Sequence, residues 1–486
     1  MIDLESTYGE ELRELAEELC RFDTTGGNER PAQEYFRDRL REHGFETYTW
    51  TADAEALAAH RSFPSEAELV DLSVGQRPSV AGVLELGDPD RGRTLVLNGH
   101  MDVVPVTPEH WSGDPFEPWW NGEGDRLTAR GAADMKSQLA ACLFAARCVA
   151  EEASDDTIEN GTSEDGTGGD RTDEEHAGEN AAEGTSDLDG RIVVESVAGE
   201  EQGGFGAAAA SMENPYPFER DAAIVAEPTD LRVVTATEGC LMGQVSIEGR
   251  SAHAARRWAG ESVLPRFERV RRAFCDLETE RSERVSHLLY ERFETPWPIV
   301  IGRVEAGSWA SNVPGTLAAE VRVGVAPGES VGDVEAECRA HLAEIANDDS
   351  EDGTSEGNTD IGDADSNTGT GADASISEGD AGCGRAIGFE RFGIQFASAE
   401  IDADEPIVGG LREAMAAAGL EDARPIGETY GADARFYTEA GIPAVVFGPG
   451  RIEQAHFPDE SIRWPDILAA GEVLTDTARR YLSAGP

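Results

Sequence analysis

Lysine is almost missing from this 486-residue chain: Lys136 is the only one, and the remaining basic charge is arginine. Positive charge as a whole is scarce, with 40 Lys and Arg against 96 Asp and Glu and a formal net charge of −56. Such a surface repels nucleic acid and anionic membranes, so neither is expected as a partner. An acidic, lysine-poor surface fits a halophilic protein kept in solution by concentrated salt, where repulsion is screened. A disordered acidic protein is the competing reading, and eight Trp with many apolar strand-like runs argue against it. Paired cysteines are lacking too. The seven (Cys20, Cys142, Cys148, Cys240, Cys275, Cys338 and Cys383) are scattered and form no Cys-x-x-Cys pair, which argues against a disulfide framework or a thiolate zinc site. No apolar run is long enough to span a membrane, and the acidic amphipathic N-terminus has no basic segment leading into an apolar stretch. A cytoplasmic protein is expected.

Two segments cannot bury enough apolar area to fold. Residues 151–190 hold 15 Asp and Glu against one Arg, and residues 347–385 hold 11 against one, both among Gly, Ser, Thr and Asn. Both read as solvated acidic insertions. Elsewhere short apolar runs at Thr94–Leu97, Arg191–Val197, Ala222–Ala226 and Ala444–Phe447 read as buried strands, with helical patterns at Met135–Glu152 and Pro406–Ala418. The alternation predicts an α/β domain with a mostly parallel central sheet. From about Glu238 to Ala399 the pattern changes to strand (Cys240–Glu248), helix (Glu261–Glu280), strands (Ile299–Val304 and Leu317–Val325), helix (Val331–Ile345) and strand (Ala386–Ala397). That βαββαβ order predicts a small ferredoxin-like domain over 238–399, inserted between catalytic parts at 1–237 and 400–486.

Chemistry-bearing residues gather where strands stop. In TLVLNGHMDVVP an apolar run gives way to His100 and Asp102, and ligands of an open α/β sheet collect beyond the carboxyl ends of its strands. A His-x-Asp pair there suits a metal-binding imidazole held by its partner carboxylate, or a plain loop hydrogen bond. In ARGAADMKSQLAA, Asp134 stands at a turn opening a helix, where it could bridge two cations or cap the helix; the single lysine lies two residues on. RIVVESVAGEEQGG ends in Glu200 and Glu201, whose side chains on extended chain point apart, so one can bind metal while the other serves as general base. AAIVAEPTD places Glu227 after a strand, and AVVFGPGRIEQAHFPDES places His456 beyond a strand and a glycine-rich turn. Each has a bland reading as a cap or charged turn. Two histidines and four acids, all at strand ends or their turns, amount to a donor set for two divalent cations.

These five segments, in this order, resemble the co-catalytic zinc amidohydrolases, a family that includes acetylornithine deacetylase, succinyl-diaminopimelate desuccinylase, aminoacylase and carboxypeptidase G. The resemblance spans the chain apart from the acidic insertions. It implies a hydrolase of an N-acyl amino acid or short peptide that uses two metal ions, zinc first, with cobalt or manganese as alternatives. Asp134 would bridge the ions, with His100 and Glu227 on one and Glu201 and His456 on the other. Asp102 would orient His100, and Glu200 would be the base. Glu227, where several peptidases of the family carry Asp, leans toward a deacylase. In the inserted domain, His253 of GRSAHAARRWAG is similar to a lid histidine that stabilises the oxyanion in dimeric relatives. Asn312 and Arg322 resemble groups that hold the substrate carboxylate, although Arg322 alternates with apolar residues and could equally be a solvated face. GADARFYTEAGIP resembles the family's GTDAR segment with Ala432 for threonine, a departure near the substrate that weakens assignment to a desuccinylase, and Ala129 stands where glycine is common. A carboxypeptidase or dipeptidase is the rival within hydrolases. A silent metal-binding protein is the rival outside them, and Glu200 beside a full ligand set argues against it. The edge of the small domain's sheet could pair with a second copy, so a homodimer is expected.

Overall fold

The computed structural model describes residues 3–161, 188–351 and 387–485. Most of the two acidic segments lies outside the described residues. The helices Lys136–Gly161 and Val331–Glu351 run into their first residues, where solvated loop was expected. In chain order the strands are β1 (Glu46–Thr51), β2 (Pro78–Leu86), β3 (Arg93–His100), β4 (Trp119–Trp120), β5 (Arg126–Thr128), β6 (Gly190–Val197), β7 (Ala222–Val225), β8 (Val234–Thr237), β9 (Gly239–Glu248), β10 (Ile299–Ala306), β11 (Thr316–Val325), β12 (Ile387–Arg391), β13 (Ala399–Glu400), β14 (Ile426–Glu428), β15 (Ala444–Val446) and β16 (Ser461–Arg463). The chain divides into two units, the first made of Met1–Gly239, His287–Arg292 and Ile394–Pro486, the second of Cys240–Ser286 and Phe293–Gly393. The return of His287–Arg292 to the first unit has no counterpart in the sequence-based boundaries.

The first unit is built on a mixed sheet in the order β1-β2-β6-β3-β7-β15-β8-β13, with β14 pairing β8. Its middle is parallel: β3 pairs β6 on one side and β7 on the other, and β7 pairs β15, all in the same direction. The flanks are antiparallel at β1 with β2, β2 with β6, and β8 with β15 and β13, while β14 pairs β8 in parallel. Parallel strands buried on both faces carry apolar runs, and Leu95–Leu97 of β3 and Ile192–Val194 of β6 are such runs. Leu95, Leu97, Ile192 and Val194 face a core shared with the helices Leu4–Cys20, Lys136–Gly161 and Trp464–Ser483. Val96, Val193 and Val225 face the other side, with Tyr216, Ala434 and Tyr437. A smaller three-stranded sheet, β16-β5-β4, lies in the same unit.

The second unit has the βαββαβ order, with helices Leu264–Arg284 and Val331–Glu351 and the sheet β10-β11-β9-β12. Two expected boundaries move. The first helix starts at Leu264 rather than Glu261, because Glu261 exchanges backbone bonds with Arg250 and Pro265 falls in the helix's first turn. The last strand stops at Arg391 rather than Ala397; Gly393 takes a φ of 57° and Gln395 N–H donates to Ser62 O, back in the first unit. Cys20, Cys142, Cys148, Cys240, Cys275 and Cys338 are free thiols. Among the described residues no helix is long and apolar enough to cross a membrane.

Candidate metal centre

Because β6, β3, β7 and β15 are adjacent and parallel, their carboxyl ends open on one edge of the sheet. His100 is the last residue of β3, Glu200 and Glu201 follow β6, Glu227 follows β7, and His456 comes from the loop after β15. Asp134 is delivered by the turn between β5 and the helix Lys136–Gly161, and its peptide bond to Met135 is cis. Gly99 makes room for this meeting. A Cβ there would lie 2.8 Å from Met135 Cε and 2.9 Å from Leu139 Cδ2, so its absence lets the helix pack directly behind the histidine.

The two carboxylate oxygens of Asp134 face different imidazoles. Oδ1 is 3.0 Å from His100 Nε2, and Oδ2 is 3.7 Å from His456 Nε2. Glu227 Oε1 lies 3.9 Å from His100 Nε2, and Glu201 Oε2 lies 3.0 Å from His456 Nε2. Ligand atoms of His100, Glu200 and Glu227 all fall within 4.8 Å of one another, as do those of His100, Asp134 and Glu201. Six predicted residues that lie far apart in the chain are thus neighbours in space. His100 and Glu227 are buried, while His456 is exposed and adopts a φ of 64°.

Asp102, expected to orient His100, meets its ring nitrogen through main chain and side chain. His100 Nδ1 is 2.9 Å from the backbone carbonyl of Asp102, whereas the nearest carboxylate oxygen of Asp102 is 3.9 Å away. That carboxylate instead accepts the N–H groups of Gly199 at 2.8 Å and of Glu200 and Glu201 at 3.1 Å each. The carboxylate thus grips three amides of the loop while its Oδ1 stays within ion-pair reach of His100 Nδ1. Asp102 therefore ties the end of β3 to the loop that carries two of the acids.

Three neighbours escaped the sequence reading. Glu460, fully buried, accepts N–H from Gly131 (3.1 Å), Ala133 (2.7 Å) and Asp134 (3.0 Å) and a bond from Arg130 Nη1 (2.6 Å). It moulds the turn that presents Asp134. Asp433, in the GADARF segment, is fully buried with no hydrogen-bond partner on either carboxylate oxygen. Burial holds its carboxyl up at about 6, against the pull of Arg435 and His100. Arg77 pairs with buried Glu29 and reaches Gln202, next to Glu201. Only the motif context of Asp433 offered a signal; the others are ordinary charged residues until their distant partners are seen.

His253, Asn312 and Arg322 lie in the second unit. His253 and Asn312 form an isolated antiparallel bridge, both exposed, and His253 Nδ1 accepts the N–H of Ala255 at 3.1 Å. Arg322 stands on β11 opposite Val300 and is partly buried.

The chemistry of the first-unit cluster fits divalent cations. Burial, then the charges of Glu227 and Asp433, pushes the Glu200 carboxyl well above the usual range. Burial pushes Glu227 well up and Glu201 up as well. Burial works against charge on His100, yet Asp134 and Glu227 hold it well above the ordinary imidazole value. Glu227 Oε1 is buried without a hydrogen-bond partner. Crowded acids that raise one another's proton affinity, with an orphaned oxygen among them, are carboxylates lacking a counter-charge. Imidazole nitrogens and carboxylate oxygens supply a borderline-to-hard donor set suited to divalent ions.

Known proteins share this sequence pattern and this fold. The sequence model of Peptidase family M20/M25/M40 matches residues 96–160 and 176–480. A probable carboxypeptidase of Neosartorya fischeri is 27% identical over 328 residues, 64% of this chain and 60% of that protein. The N-formyl-4-amino-5-aminomethyl-2-methylpyrimidine deformylase of Bacillus subtilis is 23% identical over 486 residues, covering 96% of this chain and 94% of the deformylase. Among solved structures, a dinuclear metal-binding peptidase of Bacillus subtilis superposes with a TM-score of 0.56 at 13% identity, covering 98% of both chains.

Proposed function

Because the chain belongs to Peptidase family M20/M25/M40 and is a hydrolase, we propose that it cleaves the amide bond of an N-acyl amino acid with two divalent ions. The observation that carries this reading is Asp134, whose two oxygens lie toward different histidines at 3.0 and 3.7 Å. In the proposal His100 and Glu227 hold one ion, Glu201 and His456 the other, and Asp134 both. When bound, the ions supply Lewis acidity that lowers the pKa of a shared water toward neutrality and polarises the scissile carbonyl. Zinc is the first choice, with cobalt or manganese as alternatives.

Glu200 accepts the water's proton on its carboxylate and returns it to the departing amine. A carboxylate oxygen of Glu200 lies within 4.8 Å of ligand atoms of His100 and Glu227, beside the place where the reacting water would sit. Asp102 holds the backbone of Gly199 to Glu201 and so fixes the direction of the base. For His253, Asn312 and Arg322 the proposal keeps the roles of oxyanion stabiliser and carboxylate-binding groups. A second copy of the chain pairing at β10, an edge strand that exposes Val300 and Val304, is the proposed partner. The proposed compartment is the cytoplasm of a cell rich in salt.

Carboxypeptidase or dipeptidase activity is the second reading, supported by the Neosartorya relative. Glu227 and the full-length similarity to a deformylase favour the deacylase. A panel of N-formyl, N-acetyl and N-succinyl amino acids beside unmodified dipeptides, assayed in high salt with each metal, separates the two. Turnover of the acylated compounds at least tenfold above the dipeptides is expected. The reverse ranking establishes the peptidase, and no turnover of any amide removes the proposal.

A further inference from the structure

The composition poses a question that the proposed metal centre leaves open: why one lysine remains at all. Burial is not the answer, since this chain buries arginines freely; Arg77, Arg130, Arg281 and Arg435 are each 3% exposed or less. Lys136 is likewise fully buried, at the start of the helix behind Asp134. The packing of its stem distinguishes it. A Cβ on Gly131 would lie 2.9 Å from Lys136 Cδ, 3.3 Å from its Cε and 3.0 Å from Val103 Cγ1. Gly131 itself has a φ of 85°. The stem packs against a bare glycine, and its head is a compact ammonium on a flexible four-carbon stem, which presents a point charge where arginine would present a planar fork.

What the ammonium reaches explains its value. Lys136 Nζ donates to the carbonyl of Phe22 at 2.8 Å, and Lys136 N–H donates to Gly131 O at 2.8 Å. Thr24, two residues beyond Phe22, donates its hydroxyl to Met101 O at 2.7 Å, between His100 and Asp102. The segment Phe22–Thr24 is thus bonded at one end to the Asp134 turn and at the other to the end of β3. Glu460 holds the same turn from its other side.

We propose that Lys136 is the positioning residue of the ion-bridging carboxylate: it fastens the Gly131–Asp134 turn, through Phe22 and Thr24, to the strand end that carries His100. The inference rests on the two-ion reading above. Ligand geometry held by surrounding bonds governs ion affinity, and loss of such support typically weakens it by about 10- to 100-fold.

Being the only lysine, Lys136 can be followed in the wild-type protein without mutation. Acylation by an amine-reactive reagent, read by peptide mass, should be at least tenfold slower with zinc bound than after chelation, because ions on Asp134 lock the turn. In parallel, chelator competition should give K136M and K136R at least tenfold weaker zinc affinity than wild type, measured on the folded, metal-free proteins. Equal acylation rates with and without zinc would overturn the proposal even if neither variant folds. So would wild-type zinc affinity in K136M, and wild-type affinity in K136R would overturn the requirement for a compact ammonium. A wild-type protein that binds no zinc instead overturns the two-ion reading, which keeps the two failures apart.

Discussion

Replacing Glu200 with glutamine keeps its shape and removes the proton acceptor, so E200Q separates chemistry from binding. We expect two ions per chain, an unchanged KM within a few-fold, and kcat lower by at least about a hundredfold, the lower end of what a positioned base contributes. Steady-state kinetics with metal analysis checks this, and wild-type kcat would remove Glu200 from the role. The neighbouring acids carry a second consequence. Without ions, Glu200, Glu201 and Glu227 have carboxyls raised by burial, so folded metal-free protein retains protons at pH values where free carboxylates are bare. Ion binding must expel them, so zinc affinity should fall as pH falls through that raised range. Calorimetry in buffers of different ionisation enthalpy should register proton release on zinc binding; no release would contradict the crowding. Asp102 illustrates how far a sequence can be read at this scale. Its proximity to His100 was legible from the His-x-Asp spacing, but its grip on three loop amides depends on where β6 ends beside it.

Among the elements, four parallel strands do the assembling. Apolar runs that stop abruptly at His100, Glu200, Glu227 and the loop to His456 made most of the site visible in one dimension, because strand ends on one edge of a sheet share a location. What stayed hidden were the contacts that shape the turns. Glu460 lies 330 residues from the arginine it binds, and nothing local in its segment indicates a buried carboxylate gripping three amides. The end of the last strand in the second unit was hidden for a similar reason, since Ile394 and Gln395 read as strand but belong to the first unit. The packing of helix on strand makes its own prediction. G99A inserts a methyl against Met135 and Leu139, which overpacking makes destabilising by about 2 kcal/mol. It also pushes the His100 and Asp134 elements apart. We expect a lower denaturation midpoint and weakened zinc binding together; a G99A protein with wild-type values in both would show that the contact yields freely.

For the molecule as a whole, charge outweighs every other feature. A net charge of −56 repels itself, and the repulsion is felt over about 10 Å in 0.1 M salt but only about 3 Å in 1 M. Thermal midpoints should therefore climb by several degrees between roughly 0.1 and 2 M sodium chloride. A midpoint that is flat or falls with salt, followed by circular dichroism, would contradict the view of this surface as salt-adapted. Composition made that charge legible at once, and the α/β architecture followed from alternating runs. The antiparallel flanks of the sheet did not, because antiparallel and parallel neighbours draw on the same apolar residues.

All of this turns on two ions meeting at Asp134. Anomalous diffraction from crystals grown with zinc tests it most directly. Two peaks are predicted, one beside His100 and Glu227 and one beside Glu201 and His456, with Asp134 touching both and both lost in D134A. A single peak, or peaks remote from Asp134, would contradict the shared-carboxylate centre.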